Sequence, residues 1–260
     1  MLKISVITVN YNNIDGLKAT IESVVGQSYK NVEYIVIDGG SCDGSEDLIQ
    51  SHRERFAYAV SEKDKGIYNA MNKGLSASTG DYVIFMNSGD VFFDSNVILT
   101  VFKDREVGAD VIYGSTICKE GGKGYLQHPL PLDCLVKKKT SPICHQSAFI
   151  KGELMRNRGY DEKYKILADY DFFLKCYRDG LIFEKVKKII SIYDKTGFSA
   201  SPKNYKRKYE ERCLINNEKP SRVKSTLKSI QGYILKQYPR LANSKTNESL
   251  YQPMDSFEQI

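Results

Sequence analysis

The chain alternates between short apolar, β-branched runs and segments whose apolar positions recur every three or four residues. Residues 4 to 9 (ISVITV) form the first run, and Leu17, Ile21, Val24 and Val25 then fall at helical spacing within Ile14 to Val25. VEYIVID at 32 to 38 reads as a second buried strand, followed by a Gly-rich turn and a short helix from about Ser45 to Arg55. A third strand is predicted over Tyr58 to Ser61, a helix over Gly66 to Ser76, and a fourth strand over YVIFMN at 82 to 87, ending in the polar turn SGD. Such alternation predicts right-handed βαβ units and one Rossmann-like, mainly parallel sheet flanked by helices, with its ligand crevice beyond the carboxyl ends of the strands. The polar clusters at 10 to 13, 38 to 43 and 87 to 90 all fall at such ends.

After residue 110 the pattern is less regular. A strand is predicted at 110 to 117, a Gly-rich loop at 121 to 124, a Pro-containing stretch at 128 to 142, a helix at 168 to 179 and a strand at KKIISIYD. The polar KTGFSAS segment leads into a basic tail, whose last fifteen or so residues are expected to be mobile.

Length and composition sharpen this picture. With 260 residues and 41% hydrophobic composition, the chain can bury one α/β core and a small helical appendage. The expected division is a catalytic domain over 1–198, a basic helical extension over 199–245 and a flexible tail over 246–260. The start lacks a basic region and a small-residue cleavage site, and the longest apolar runs fall far short of the roughly 18 to 20 residues needed to span a bilayer. Six scattered cysteines without a CxxC pair fit reduced thiols, so a cytoplasmic location is expected and structural zinc is not. The net charge of +6 is uneven: residues 195 to 245 carry thirteen Lys or Arg against Glu210, Glu211 and Glu218.

Several strand and helix ends carry candidate chemistry. Asp38, before Gly39 and Gly40, can accept hydrogen bonds from a nucleobase or ribose where glycine lets a ligand approach the backbone, or it can simply shape a turn. Asp90 ends the fourth strand and can help hold a hard cation such as Mg²⁺ or Mn²⁺ together with diphosphate oxygens, or serve a β-turn. Asp169 and Asp171 open a helix, where a carboxylate also favours the helix dipole. A dinucleotide-binding dehydrogenase is set aside, because VNYNNIDG after the first strand is not G-x-G-x-x-G.

Taken in order, ISVITVNYNN, VIDGGSCDGS, EKDKGIYNAMNKG at 62 to 74, GDYVIFMNSGD at 80 to 90 and ADYDFFLK at 168 to 175 resemble the inverting GT-A glycosyltransferases of family 2. The bacterial O-antigen and capsule enzymes are the nearest in character, and the resemblance covers about residues 3 to 199. It implies a GT-A fold and a nucleotide-sugar pocket formed by Thr8, Asn10 and Tyr11, with Asp38 on uracil and with Lys65, Asn69 and Asn72 near the donor. It places Asn87, Ser88, Gly89 and Asp90 where relatives often carry Asp-x-Asp-Asp, leaving Asp90 as the metal ligand for Mn²⁺ or Mg²⁺. The same match makes Asp169 the catalytic base, with Asp171 as its rival, although Ala168 stands where many relatives have Glu. His145 and Gln146 match a His-Gln pair before the acceptor strand and are candidates for metal, diphosphate or acceptor contact. KTGFS at 195 to 199 resembles a loop that orders over the donor, or it is a plain surface loop.

The resemblance implies transfer of a hexose, with UDP-galactose or UDP-glucose favoured. The implied acceptor is a polyprenyl-diphosphate-linked glycan in O-antigen, lipopolysaccharide or other surface-polysaccharide biosynthesis. The lost acidic residues at 87 and 89 keep open an alternative, a catalytically weakened nucleotide-sugar-binding or scaffolding protein. Between Ser221 and Leu241, Val223, Leu227, Ile230, Ile234, Tyr238 and Leu241 recur at helical spacing, with Lys224, Lys228, Lys236 and Arg240 interleaved. Such a helix suits peripheral contact with the cytoplasmic face of the inner membrane, or packing on the core or on a second copy in a homodimer. Nucleic-acid binding is disfavoured, since the basic region carries no recognisable binding motif.

Overall fold

The structure, a computed structural model, describes residues 1–120, 122–195, 197, 201–237 and 251–253. The N-terminal half follows the predicted alternation: β1 (Ile4–Asn10), α1 (Ile14–Val25), β2 (Val32–Asp38), α2 (Ser45–Ser51), β3 (Tyr58–Ser61), α3 (Ile67–Ala77) and β4 (Tyr82–Phe85). All seven residues of β1 are buried, because β2 and β4 pair with its two edges and a hydrophobic cluster covers each of its faces. This explains an apolar run without strict alternation. Parallel register pairs Ile4 with Val32 and ends by setting Asn10 beside Asp38, so two polar strand ends meet. On one face α3 lies close to β1, since a Cβ on Gly74 would fall 2.5 Å from Ile7 Cγ2.

The second half comprises β5 (Val91–Phe92), α4 (Val97–Phe102), β6 (Val111–Glu120), β7 (Lys123–Gln127), α5 (Cys134–Lys137), β8 (Ala148–Lys151), α6 (Gly152–Arg158), α7 (Ala168–Arg178) and β9 (Phe183–Asp194). After these come α8 (Tyr205–Ile215), α9 (Arg222–Gln237) and β10 (Tyr251–Pro253). Along the sheet the order is β10-β7-β6-β8-β4-β1-β2-β3, with β9 pairing β5 and β6 off this path.

The expectation of a mainly parallel sheet holds for β3, β2, β1 and β4 and for the pairing of β9 with β6, and gives way elsewhere in the second half. There β8 runs antiparallel to β4 and β6, β7 to β6, and β10 to β7. A tight connection through Gly122 (φ +79°) joins β6 to β7, and only an antiparallel pair can be joined so tightly. The region read as a Gly-rich loop is therefore a hairpin. Residues 251–253 of the expected tail form an edge strand, and the rest of 246–260 lies outside the described residues. No helix among the described residues is long and apolar enough to cross a membrane.

Candidate active site

The parallel strand ends at β1, β2 and β3 form a hydrogen-bonded polar scaffold in which the buried Asn10 Oδ1 is left without a donor. Asp38 is fully buried: its Oδ1 accepts from Asn10 Nδ2 (2.7 Å) and Ser41 Oγ (2.6 Å), and its Oδ2 from the Gly40 and Ser41 amides and Ser61 Oγ (2.6 Å). Burial pushes its carboxyl up, but these hydrogen bonds outweigh that and hold it below the ordinary range. Both oxygens are engaged in shaping the 39–44 loop. Thr8 is likewise buried, with its hydroxyl 3.1 Å from the Tyr34 hydroxyl, and does not face the crevice. Asn10 is also interior, tied to Asp38 and Ser41.

Other donor-side candidates divide in the same way. Asn69 and Asn72 donate to Glu162 at 3.0 Å each, and Asn72 also bonds the Tyr160 backbone, so both tie α3 to the 160–162 segment instead of facing a donor. Lys65 is exposed beside them, its carbonyl accepting from Lys165 Nζ. The exposed Tyr11 ring and the Asp64 carboxylate do reach the crevice mouth, meeting across Gly39, where a Cβ would lie 3.2 Å from the ring and 2.5 Å from Asp64 Oδ2. Asp64 was not among the sequence candidates; its mark was the acid next to Lys65 in the third motif.

The turn at 87–90 is held from α1. Thr20 Oγ1 donates to the Asp90 carbonyl (2.8 Å) and accepts from the Gly89 amide (3.0 Å), while Asn13 Nδ2 donates to the Ser88 carbonyl. Gly89 sits at φ +98°, a left-handed conformation that a side chain would strain. Asp90 is buried; Oδ2 accepts from Gln146 Nε2 (3.0 Å) and Oδ1 from the Asp194 amide (3.1 Å). Gln146 is thereby a holder of Asp90, not an acceptor contact. Burial pushes the Asp90 carboxyl up to about 7 against the pull of Gln146, the Asp194 amide and His145. Asn87 Oδ1 is buried without a hydrogen-bond donor.

No group of three or more His, Cys, Asp or Glu among the described residues makes a metal site by itself. A buried carboxylate together with an orphaned buried carbonyl nonetheless fits a hard divalent cation of the Mg²⁺ or Mn²⁺ kind, which needs only one or two carboxylates when phosphate oxygens complete its shell.

His145 connects this turn to α7. Its Nε2 lies 3.3 Å from Asn87 Nδ2, and its Nδ1 lies 3.4 Å from Asp169 Oδ2. Tyr68 Oη reaches the other oxygen of Asp169 at 3.3 Å. Burial pushes the Asp169 carboxyl up, yet His145, the Tyr170 amide and Lys208 more than offset it, so the group stays below the ordinary range and ionised at neutral pH. Asp171 points elsewhere. It is paired with Lys175 at 2.7 Å and lines a separate cavity of about 470 Å³ with Arg158, Asp161 and Asp179.

Sequence reasoning did not find the support of α7. Glu211 on α8 is buried; its Oε1 accepts from the Lys165 amide (2.8 Å) and its Oε2 from the Ile166 and Leu167 amides (3.0 Å each), the three residues before α7 begins. A carboxylate there satisfies amides that the helix leaves unpaired and suits its dipole. The Asn216 amide donates to Tyr170 Oη (3.1 Å), Ile215 joins the core cluster, and Lys208 stands near enough to Asp169 for mutual charge effects. The expected boundary at 198 therefore does not separate α8 from the core. The KTGFS lid candidate falls largely outside the described residues, as do Tyr238, Arg240 and Leu241 of the amphipathic pattern.

Comparison with known proteins bears on this site. The model of "Glycosyl transferase family 2" matches residues 5–174. An uncharacterized glycosyltransferase of Mycobacterium tuberculosis is 34% identical over 203 residues, covering 75% of this chain and 76% of the relative. A PGL/p-HBAD biosynthesis glycosyltransferase of Mycobacterium bovis is 27% identical over 205 residues, covering 74% and 77%. Among solved structures, residues 1–349 of S. aureus TarS in complex with UDP superpose with a TM-score of 0.61 at 17% identity, covering 95% of this chain and 74% of that one; the chain spans 44% of the longer TarS structure. Mannosyltransferase PcManGT of Pyrobaculum calidifontis, in complex with GDP-Man and Mn²⁺, gives 0.62 at 15% identity, covering 90% and 70%. The shared architecture is the GT-A fold.

Proposed function

For this chain, which belongs to glycosyl transferase family 2 and is a glycosyltransferase, we propose inverting transfer of a hexose from UDP-galactose or UDP-glucose to a polyprenyl-diphosphate-linked saccharide. The pathway is assembly of a surface polysaccharide such as an O-antigen, at the cytoplasmic face of the membrane. The observation that carries this reading is the line from Asp169 through His145 to Asn87, which sets an ionised carboxylate and the 87–90 turn on one crevice. The nucleotide-sugars held by the structural neighbours (UDP-GlcNAc for TarS, GDP-Man for PcManGT) and the PGL/p-HBAD relative support a nucleotide-sugar donor and a surface-glycan setting.

In the mechanism an acceptor hydroxyl attacks the anomeric carbon opposite the leaving diphosphate, and Asp169 accepts its proton. His145 and Tyr68 orient the two oxygens of that carboxylate. Tyr11 offers a ring face for the nucleobase, and Asp64 Oδ2 an acceptor for its imino N–H, the part first given to Asp38. Asp90 and Asn87 Oδ1 would hold a divalent cation, which when bound supplies positive charge for the departing diphosphate.

The test is a transfer assay of UDP-sugars against synthetic lipid-diphosphate saccharides, with and without Mn²⁺ or Mg²⁺, followed by linkage analysis. The expected product has inverted anomeric configuration and forms only with the cation. Retained configuration would overturn the single displacement, and UDP-sugar binding without transfer to any such acceptor would overturn the acceptor class.

A further inference from the structure

Helix α9 faces the opposite way from an ordinary surface helix. An amphipathic helix on a globular core turns its apolar stripe inward. The inward face of α9 instead centres on small residues: Ser225 and Gly232 are buried, with Lys228 and Leu235 half-buried beside them, and a Cβ on Gly232 would collide with the Pro202 carbonyl oxygen. Its large apolar residues point away, with Val223 69%, Leu227 58%, Ile230 49%, Tyr233 63% and Ile234 42% exposed. At 100° per residue, Val223, Leu227, Ile230 and Ile234 fall within a strip about 60° wide.

Charge identifies what covers this strip. The sequence of α9, RVKSTLKSIQGYILKQ, contains no acidic residue. Lys224 lies on one flank of the strip and Arg222 on the other, both exposed, where long basic side chains can reach past the apolar residues. Two copies of α9 set face to face would oppose these cations with no acid on either helix, a repulsive arrangement. A surface that is apolar beneath and anionic at its rim matches instead.

We propose that the exposed face of α9 docks on an anionic lipid bilayer, with Leu227, Ile230 and Ile234 entering the interface and Arg222 and Lys224 meeting lipid phosphates. This deepens the proposed reading of a lipid-borne acceptor and rests on it for its purpose. Because α9 packs on α8, and α8 holds the amides leading into the helix of Asp169, docking places the catalytic crevice at a set orientation to the membrane.

The experiment is flotation of the full chain with vesicles of phosphatidylcholine alone or mixed with phosphatidylglycerol, at low and high salt. Two basic residues near the surface predict roughly 30-fold tighter binding to the anionic vesicles, reduced by salt. A Leu227→Glu, Ile230→Glu variant is expected to lose at least about tenfold of that binding, since two apolar anchors become anions, while its melting temperature and UDP-sugar hydrolysis stay unchanged. Equal binding to neutral vesicles, binding unaffected by the variant, or no binding overturns the proposal. So does a concentration-dependent dimer that the same variant dissolves, which assigns the face to a second copy. Transfer to a detergent-dispersed acceptor is measured in parallel on the unsubstituted chain: no vesicle binding with transfer intact defeats the docking proposal alone, and vesicle binding without transfer defeats the acceptor reading alone.

Discussion

Two polar clusters stand at the carboxyl ends of β2 and β4, the parallel strands on either side of β1, and their carboxylates are held on opposite principles. Around Asp38, five donors satisfy two carboxylate oxygens, and the group is held below its ordinary range. Around Asp90, a buried carboxylate is pushed up to about 7 and a neighbouring amide oxygen has no donor. In the first cluster the carboxylate is completed by its own chain, although the Asn10 amide oxygen beside it also has no donor, so the contrast lies in the two carboxylates. The second leaves negative groups under-compensated, the condition expected of a site whose remaining partner is a cation and a phosphate. Position at a strand end thus marks where a ligand can sit, and hydrogen-bond satisfaction decides which residues meet it.

The sharpest way to break this contrast is Asp169→Asn. Loss of a general base predicts a fall in kcat of roughly 10²- to 10⁴-fold with the thermal transition in place; a melting temperature that drops in step with activity would make Asp169 structural. Asp38→Asn should do the reverse. Its amide cannot accept from all five donors, so stability falls by about 2–4 kcal/mol, measured by urea unfolding, with residual activity per folded molecule retained.

The pH dependence of the Asp38 contribution has a definite sign. Its folded pKa lies below its unfolded value, so the stabilisation is fully present above the unfolded carboxylate value of about 4 and fades as pH falls through the lower folded value. Wild type should therefore lose its stability advantage over Asp38→Asn only below about pH 4. An advantage that vanishes between pH 5 and 7 would refute the satisfied-scaffold reading.

Smaller effects sharpen the catalytic side. Glu211→Gln keeps the shape but offers one acceptor oxygen where three amides converge, and a roughly tenfold drop in kcat with unchanged donor KM is expected, in line with slight misplacement of a reacting group. A rise in donor KM with unchanged kcat would remove Glu211 from the positioning of Asp169. Asp171→Asn should change transfer by less than about threefold, because its exposed Lys175 partner contributes only a fraction of a kcal/mol; a loss matching that of Asp169→Asn would restore Asp171 as base.

How much was legible in advance follows from the range of the forces involved. The early strands and helices were readable because both faces of the parallel strands are buried, which leaves unbroken apolar runs. The helix at α7 was readable from its motif. Short β8, with four residues, and β5, with two, carry too few positions for a period to show. Helical geometry sets Asp169 and Asp171 apart, since residues two apart face apart, but only the folded chain shows that Asp169 meets His145 and Asp171 meets Lys175. The α9 stripe was visible as a pattern, whereas its outward direction was not, because an apolar face looks the same in sequence whether protein or solvent lies against it.

By itself, then, the sequence determined the family, the GT-A class of fold, and the strand ends where polar residues gather, since these depend on local periodicity and on ordered motifs. Tertiary structure decided the roles within each cluster. It closed Asp38, Thr8, Asn69 and Asn72 into the scaffold, brought Gln146 to Asp90, and brought Glu211 to the start of α7 across more than forty residues of chain. Such pairings depend on which donor meets which acceptor in space. A carboxylate's burial and partners are set by the packed whole, and no local stretch of sequence records them.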